Sequence, residues 1–263
     1  MFDAIHGAIA LALIVALAFL TWLVSLARHD VSIVDGMWPV FIGSAGVAYL
    51  ALVGHVGPVA LAALGLLLVW AVRLCAHITA RNHGQPEDRR YQKIRANNQP
   101  NFELKSLYIV FGLQAALAWI VALPFMAIVR GGADFGLLEV AGFALAAFGT
   151  GFEAVADWQL ERFKKAGGQG RVLDTGLWRY SRHPNYFGEC CVWWGFGIMA
   201  LGVGGWWALA SPLLMTILLL KVSGVTMLEK DIGERRPGYA RYIRETNAFF
   251  PGAPRRAPRA ART

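Results

Sequence analysis

Residues 4–27 read AIHGAIALALIVALAFLTWLVSLA, a stretch without Asp, Glu, Lys or Arg. A helix needs roughly 20 mainly apolar residues to cross a hydrocarbon core about 30 Å thick. Because that core has no water to satisfy backbone N–H and C=O groups, such a stretch must be helical. Seven stretches are long enough and mainly apolar, at 4–27, 31–54, 56–80, 106–129, 136–159, 186–204 and 206–224. The pattern predicts an all-α, polytopic membrane protein with seven transmembrane helices.

Composition agrees with this prediction. Of the 263 residues, 56% are hydrophobic and only 16% are charged, whereas a soluble domain usually carries about 25% charged residues. The first stretch lacks a basic leading region and ends in Arg28-His29-Asp30 rather than in a small-residue cleavage site, so it is not a signal peptide. We expect one membrane domain at 1–250, followed by a basic, Pro-rich and disordered tail at 251–263.

The basic residues are distributed unevenly. Of the 25 Lys and Arg residues, 22 lie at Arg28 or within 81–105, 160–185 and 225–263. Positive residues collect on the cytoplasmic side of membrane proteins, and seven spans place all four of these segments there. The N-terminus is then outside and the C-terminus in the cytoplasm. The net charge of +8 therefore reflects topology, and nucleic acid is not an expected partner.

The three cysteines give no sign of a metal site. Cys75, Cys190 and Cys191 all lie in predicted spans, and their spacing does not match that of zinc ligands. We expect them to be small packing residues and predict no metal.

The segment 176–189, GLWRYSRHPNYFGE, combines a helix start with basic residues. Pro184 suits the first turn of a helix, and Ser181 suits a helix cap. The free N–H groups of that helix start would lie beside Arg179 and Arg182, which together predict an anion-binding site. The alternative is a basic belt at the membrane interface.

Acidic side chains accompany this segment at membrane depth. Asn185 and Glu189 are four residues apart and share one helical face. The preceding span carries a second polar stripe, formed by Glu153, Asp157, Glu161 and Lys164. Charged groups are costly inside a membrane, so we expect the acids to face a polar cavity shared with Asn185 and Glu189. The alternative is a structural ion pair between these acids and Arg171 or Arg182.

Asp35 is a third polar intrusion, at the start of the second predicted span. A carboxyl group that faces an apolar pocket can stay protonated and donate a hydrogen bond. Such a group is able to polarise a substrate carbonyl. The alternative is an interfacial acid favoured by the dipole at a helix N-terminus.

Charged and aromatic residues are interleaved after the last predicted span, namely Glu229, Lys230, Asp231, Glu234, Arg235, Arg236, Tyr239, Arg241, Tyr242 and Arg244. Such a mixture suits contact with phosphate and adenine, or else forms a solvated helix on the membrane surface. Basic loops above buried acids suit a phosphorylated cytosolic cofactor that meets a substrate from the lipid. A Rossmann fold is excluded, because no Gly-x-Gly-x-x-Gly motif follows a predicted strand.

Residues 177–189, LWRYSRHPNYFGE, resemble the steroid 5-alpha-reductase family, in particular its bacterial members. The resemblance extends to 32–35, 81–88, Asp157 and 249–252. It implies a seven-helix, NADPH-dependent reductase that saturates the carbon–carbon double bond of a 3-oxo-4-ene steroid or a similar hydrophobic enone. It also implies a site that opens to the cytoplasm from the bacterial inner membrane, with a substrate that enters from the surrounding lipid. A monomer is compatible with this interpretation.

The resemblance assigns roles by position. Asp35 looks like the catalytic acid that binds the substrate ketone, where family members usually have Glu. Most of the residues that look like cofactor-binding positions lie in 106–250, and the full set is Asn82, Asp157, Lys164, Arg171, Tyr180, Asn185, Glu189, Tyr239 and Arg241. The family also uses a tyrosine on its third span, but 56–80 contains none.

Two other functions fit parts of the sequence. Residues 182–188 also satisfy the Arg-His-Pro-x-Tyr-x-Gly element of isoprenylcysteine carboxyl methyltransferases, which use S-adenosylmethionine. A non-enzymatic lipid-binding or transport protein is the second alternative. Transporters often contain inverted repeats and broken helices at the bilayer midplane, whereas the polar groups here lie towards one side.

Overall fold

The computed structural model describes residues 2–131, 134–168, 170–222 and 238–255. These residues form helices and connecting loops, with no strand among them. The helices are α1 (Ala4–Arg28), α2 (Ile33–Ala51), α3 (Pro58–Asn82), α4 (Arg89–Asn97), α5 (Phe102–Ser106), α6 (Leu113–Val121), α7 (Leu123–Ile128), α8 (Leu137–Lys165), α9 (Pro184–Gly202), α10 (Ala210–Ile217) and α11 (Tyr239–Glu245). Two π-helical segments, Leu107–Gly112 and Leu218–Val222, and two 3₁₀ segments, Gly176–Arg179 and Trp206–Leu209, lie between them.

Five helical segments are long and apolar enough to cross a membrane: Ala4–Arg28, Ile33–Ala51, Pro58–Asn82, Phe102–Ile128 and Leu137–Lys165. They match the first five predicted spans to within a few residues at most ends, and the all-α class is confirmed for the described residues. Helix α9 has 19 residues but carries Asn185 and Glu189 in its first two turns and is not among the five. The last predicted span, 206–224, overlaps a shorter apolar helix, Trp206–Val222. Seven crossings and their orientation stay predictions.

Local sequence accounts for the helix boundaries. Asp3 caps α1, because its carboxylate accepts hydrogen bonds from the N–H groups of Ile5 and His6. Pro58 opens α3, where its missing N–H has no intrahelical partner to lose. Pro184 opens α9 in the same way, as its position in the sequence predicted.

The described residues divide into two compact units, and each is described by itself. The first comprises Met1–Phe143 and Phe196–Ser211, and the second comprises Ala144–Gly195 and Pro212–Thr263. One membrane domain over 1–250 stays a prediction. Of the tail at 251–263, residues 256–263 lie outside the described residues.

In the first unit, α2 packs between α1 and α3. Helices α2 and α3 run antiparallel and approach closely at glycines: a Cβ added at Gly36 would lie 3.0 Å from Thr79 Oγ1, and one added at Gly43 would lie 3.4 Å from the Cβ of Ala71. Large side chains fill the remaining interior, and Tyr49 is among those that are fully buried. This packing brings the C-terminal end of α3 beside the N-terminal end of α2.

Candidate functional site

Helix α4 docks onto α2 through Asp35. Its Oδ2 lies 2.6 Å from Arg90 Nη2, and its Oδ1 accepts a 2.6 Å hydrogen bond from the Tyr91 hydroxyl. Asp35 is therefore an acceptor at both oxygens. In this arrangement neither oxygen donates, whereas the predicted role was to donate a hydrogen bond to a substrate carbonyl. Its assignment as a catalytic residue stays a prediction.

Tyr91 is the residue in this cluster that sequence reasoning missed. Its side chain is buried, and its pKa is raised, first by burial and then by the neighbouring Asp35 carboxylate. The hydroxyl therefore stays protonated at neutral pH. The third predicted span lacks a tyrosine, but Tyr91 supplies one to the same carboxylate from a short helix outside the spans. The nearby run of acids and arginines in 87–90 was the available signal.

Glu87 attaches the loop before α4 to the junction of α1 and α2. It accepts a 3.0 Å hydrogen bond from the Val31 N–H and two more from Arg95, at 2.8 and 3.0 Å. The Arg95 guanidinium also lies 4.5 Å from the centre of the Phe102 ring. Burial raises the pKa of Glu87, but these hydrogen bonds outweigh burial and hold that pKa below its ordinary value of 4.5.

A cavity of about 810 Å³ lies in the first unit between the ends of α1, α2 and α3 and the loop at 83–87. Asn82, a predicted cofactor residue, lines it together with Arg28 and Thr21. Asp35 is not among its lining residues, although its neighbours Gly36 and Ile33 are. The structure therefore places Asn82 and Asp35 on different surfaces of the same unit.

The second unit brings two of the predicted cofactor residues into contact. Asn185 Nδ2 donates a 3.2 Å hydrogen bond to Asp157 Oδ1. One turn along α9, Glu189 accepts a 2.8 Å hydrogen bond from Trp193 Nε1. Glu153, Asp157 and Glu189 are 4, 6 and 6% exposed. Glu153 and Asp157 are thus buried within the protein, whereas Glu161 of the same stripe is exposed. The polar cavity that these acids were expected to share with Asn185 and Glu189 stays a prediction, since the large cavity described above does not include them.

Two glycines allow this contact. A Cβ added at Gly149 of α8 would lie 2.6 Å from the Gly188 carbonyl oxygen of α9, and one added at Gly188 would lie 2.7 Å from the backbone nitrogen of Glu153. The contacts of Gly149, Glu153 and Asp157 fall at progressively earlier positions of α9, so the two helices run antiparallel. Their backbones nearly touch, which brings the short side chains of Asp157 and Asn185 within reach of each other.

The motif before α9 binds the segment around α11. Arg182 is buried, and its Nη1 donates hydrogen bonds to the carbonyls of Thr246, at 2.7 Å, and Ile243, at 3.2 Å. Ser181 Oγ donates to the Phe249 carbonyl at 2.8 Å and accepts from the His183 N–H at 3.1 Å. Arg182 is thereby engaged by backbone carbonyls, which weakens the prediction that it forms an anion site with Arg179.

Three of the other predicted cofactor residues lie on the parts of the second unit that precede α9. Lys164 is half-buried near the end of α8. The Arg171 guanidinium lies 5.9 Å from the centre of the Phe163 ring. Tyr180 is exposed, and its carbonyl accepts a 3.0 Å hydrogen bond from the Gly252 N–H.

Tyr239 and Arg241 belong to α11. Tyr239 is buried in an edge-to-face contact with Tyr242, with ring centres 5.6 Å apart. The Tyr242 hydroxyl in turn donates to the Trp178 carbonyl. Arg241 is exposed and lies 2.8 Å from Glu245 Oε1. Of these two residues, Arg241 is therefore the one whose side chain is exposed to solvent.

Part of the predicted basic segment lies outside the described residues, namely Glu229, Lys230, Asp231, Glu234, Arg235 and Arg236. Within the described ranges, no group of three or more His, Cys, Asp or Glu side chains is arranged to hold a metal ion. Cys75, Cys190 and Cys191 are free thiols.

These features define a polytopic α-helical membrane protein with polar side chains buried near helix ends. The chain belongs to the family described as protein of unknown function DUF1295, whose model matches residues 21–246. No curated protein and no solved structure matches the chain.

Proposed function

We propose that the protein is an NADPH-dependent reductase of a hydrophobic enone, with a 3-oxo-4-ene steroid as the first substrate to test. The observation that carries the proposal is the partly buried hydrogen bond between Asn185 and the buried Asp157. An ionisable side chain at this depth is costly even when it is paired, and such residues typically mark a functional site. The resemblance of residues 177–189 to steroid 5-alpha-reductases supports a nicotinamide nucleotide as that ligand.

The side chains around this hydrogen bond are of the kinds that such a cofactor needs. Asp157, Asn185 and Glu189 offer acceptors and donors of the kind that ribose hydroxyls and a carboxamide need. Arg171 and Arg241 are exposed and offer positive charge for phosphate groups. When bound, NADPH would supply the hydride, while the protein supplies orientation and electrostatics.

The proposed orientation in the membrane is inferred from the positions of the Lys and Arg residues. Seven crossings, with the N-terminus outside and the loops at 81–105 and 160–185 in the cytoplasm, give both basic loops access to a cytosolic nucleotide. The substrate would enter from the lipid. Reporter fusions within the two loops test this arrangement, and fusions that report opposite faces of the membrane contradict it.

Asp35, Arg90 and Tyr91 are proposed to stabilise the negative charge that develops on the substrate carbonyl oxygen. Because Asp35 accepts hydrogen bonds from both groups, its role would be to orient the Arg90 guanidinium, whose remaining N–H groups would donate to the carbonyl oxygen, while Tyr91 holds the Asp35 side chain in place. Loss of an oxyanion donor typically costs roughly 100- to 1,000-fold in rate. We expect Asp35→Ala to lose most turnover and to keep NADPH binding, and equal loss of both would contradict this assignment.

The proposal is tested with purified protein in detergent micelles. Calorimetry with NADPH and with S-adenosylmethionine separates a reductase from a methyltransferase, and binding of neither favours a non-enzymatic role. Asn185→Ala is expected to weaken NADPH binding at least tenfold, since a hydrogen bond to a charged group contributes about 1.5–3 kcal/mol. Asn97→Ala, which changes an exposed amide of α4, is the matched control.

Turnover is measured by mass spectrometry after incubation with NADPH and a 3-oxo-4-ene steroid. A gain of two hydrogens in the product supports the reductase. NADPH binding without any such product would restrict the proposal to the cofactor and exclude the steroid.

A further inference from the structure

The cavity of the first unit has an apolar body. Leu17, Leu20 and Val24 contribute one stripe of α1, while Met37 and Ile78 contribute from α2 and α3. Leu20 and Val24 are exposed, at 57 and 46%, so this wall continues onto the outer surface of α1. From Leu17 to Arg28 the stripe rises about 16 Å, at 1.5 Å per residue. A slender apolar chain fits such a space better than a compact polar molecule does.

The other end of the cavity is polar and rich in donors. Arg28 lines it and has no ion-pair or hydrogen-bond partner within the part of the chain that the structure describes. The side-chain oxygen of Asn82 accepts a 3.1 Å hydrogen bond from Arg81, which leaves the amide N–H groups of Asn82 as donors.

The two acids at this end are already engaged. Asp30 accepts hydrogen bonds from the Ser32 N–H, at 2.8 Å, and from the Ser32 hydroxyl, at 2.6 Å. Glu87 is paired with Arg95. Neither acid forms an ion pair with Arg28 among the described residues, so the N–H groups of its guanidinium are available to an anionic ligand.

We propose that this cavity binds a single-chain amphiphile, with its apolar chain between α1, α2 and α3 and its anionic headgroup at Arg28 and Asn82. The proposal does not depend on reductase activity, because it involves neither the α8–α9 contact nor Asp35. It assigns to the first unit a lipid-like ligand with a carboxylate or phosphate head. The exposed wall on α1 gives such a ligand a route from the bilayer.

The test uses three probes with the full-length protein in nanodiscs of neutral phosphatidylcholine, without nucleotide. Dodecanoate has both parts of the ligand, dodecanol lacks the charge, and acetate lacks the chain. We expect saturable dodecanoate binding that is about tenfold tighter than dodecanol binding, with no competition from acetate at the same concentration. Absence of saturable dodecanoate binding, or effective competition by acetate, would overturn the proposal.

Two variants locate the ligand. Arg28→Gln is expected to remove the preference for dodecanoate over dodecanol, whereas Arg89→Gln, an exposed arginine that does not line the cavity, keeps it. Val24→Trp is expected to reduce binding of both probes at least tenfold. Val15→Trp, at a position of α1 that is 50% exposed and outside the cavity, is the control.

The outcomes separate this site from a nucleotide site. If Arg28→Gln leaves the preference intact, the headgroup assignment is wrong. If Val24→Trp has no more effect than Val15→Trp, the chain lies elsewhere. If NADPH displaces dodecanoate competitively, the polar end belongs to the nucleotide site and the proposal is overturned, whether or not the protein turns over a steroid.

Discussion

The close approach of α8 and α9 predicts that adding a side chain at Gly149 destabilises the protein. An added Cβ would lie 2.6 Å from both the Gly188 carbonyl oxygen and the Val192 nitrogen, whereas ordinary van der Waals contact begins near 3.4 Å. Because both obstacles are backbone atoms of a helix, they cannot rotate away. In Gly149→Ala, the two helices must therefore separate locally by about 0.8 Å.

That separation has a second consequence two turns along α8. The hydrogen bond from Asn185 to Asp157 measures 3.2 Å and would lengthen to nearly 4 Å, beyond hydrogen-bonding distance. Overpacking costs about 1–3 kcal/mol, and a lost hydrogen bond to a charged group costs about 1.5–3 kcal/mol. Replacing Gly by Ala in a helix returns about 1 kcal/mol. We expect Gly149→Ala to lower the free energy of unfolding by about 2–4 kcal/mol.

Gly151 provides the matched control on the same helix. A Cβ added there meets nothing within 4 Å, so Gly151→Ala is expected to raise stability by up to about 1 kcal/mol through helix propensity alone. Unfolding of both variants is measured by tryptophan fluorescence in mixed micelles with increasing SDS. If the two variants shift the transition equally, the backbone contact between α8 and α9 is not as described and the reasoning fails.

Three further predictions concern single side chains. Tyr91→Phe leaves one Asp35 oxygen without its donor and is expected to cost about 1–3 kcal/mol in chemical unfolding; an unchanged transition would show that this hydrogen bond contributes nothing. Because the pKa of Glu87 is lowered, its stabilising effect should be full above about pH 4.5 and disappear as pH falls through its folded-state pKa. The difference in melting temperature between the wild type and Glu87→Gln should therefore shrink over that interval, and a difference independent of pH would contradict this. Arg182→Ala should make the segment after residue 238 accessible to limited proteolysis, whereas Arg179→Ala should not. Equal cleavage of the two variants would show that the hydrogen bonds from Arg182 to the carbonyls of Ile243 and Thr246 do not hold this segment in place.

Several features of the site could be predicted from spacing alone. Asp157 and Asn185 were expected to face the same interior, because each is a polar residue that lies at membrane depth and cannot be exposed to lipid at low cost. The start of α9 at Pro184 followed from the fixed φ of proline and its missing N–H. These features depend on the identity of a residue and on its position within a hydrophobic stretch, and both can be read from the sequence.

Other features depend on residues that are far apart in the chain. Nothing near Asp35 in sequence shows that Arg90 and Tyr91, more than fifty positions away, donate hydrogen bonds to its side chain. The sequence predicts that Arg182 belongs to an anion site, but in the structure its Nη1 donates hydrogen bonds to the carbonyls of Ile243 and Thr246. A hydrogen-bond partner is chosen by packing, and packing is a property of the whole fold.

The sequence by itself determined that this is a polytopic α-helical membrane protein. The reason is that insertion into a bilayer depends on the length of each hydrophobic stretch and on the positions of the charged residues. The sequence also determined the first five membrane-length helices and the interior location of Glu153 and Asp157 on α8. Only the tertiary structure decided which polar side chains meet: Tyr91 with Asp35, Asn185 with Asp157 and, among the residues that the structure describes, no acid with Arg28. The physical reason is that a polar group's protonation and availability depend on neighbours a few ångströms away, and those neighbours come from distant parts of the chain.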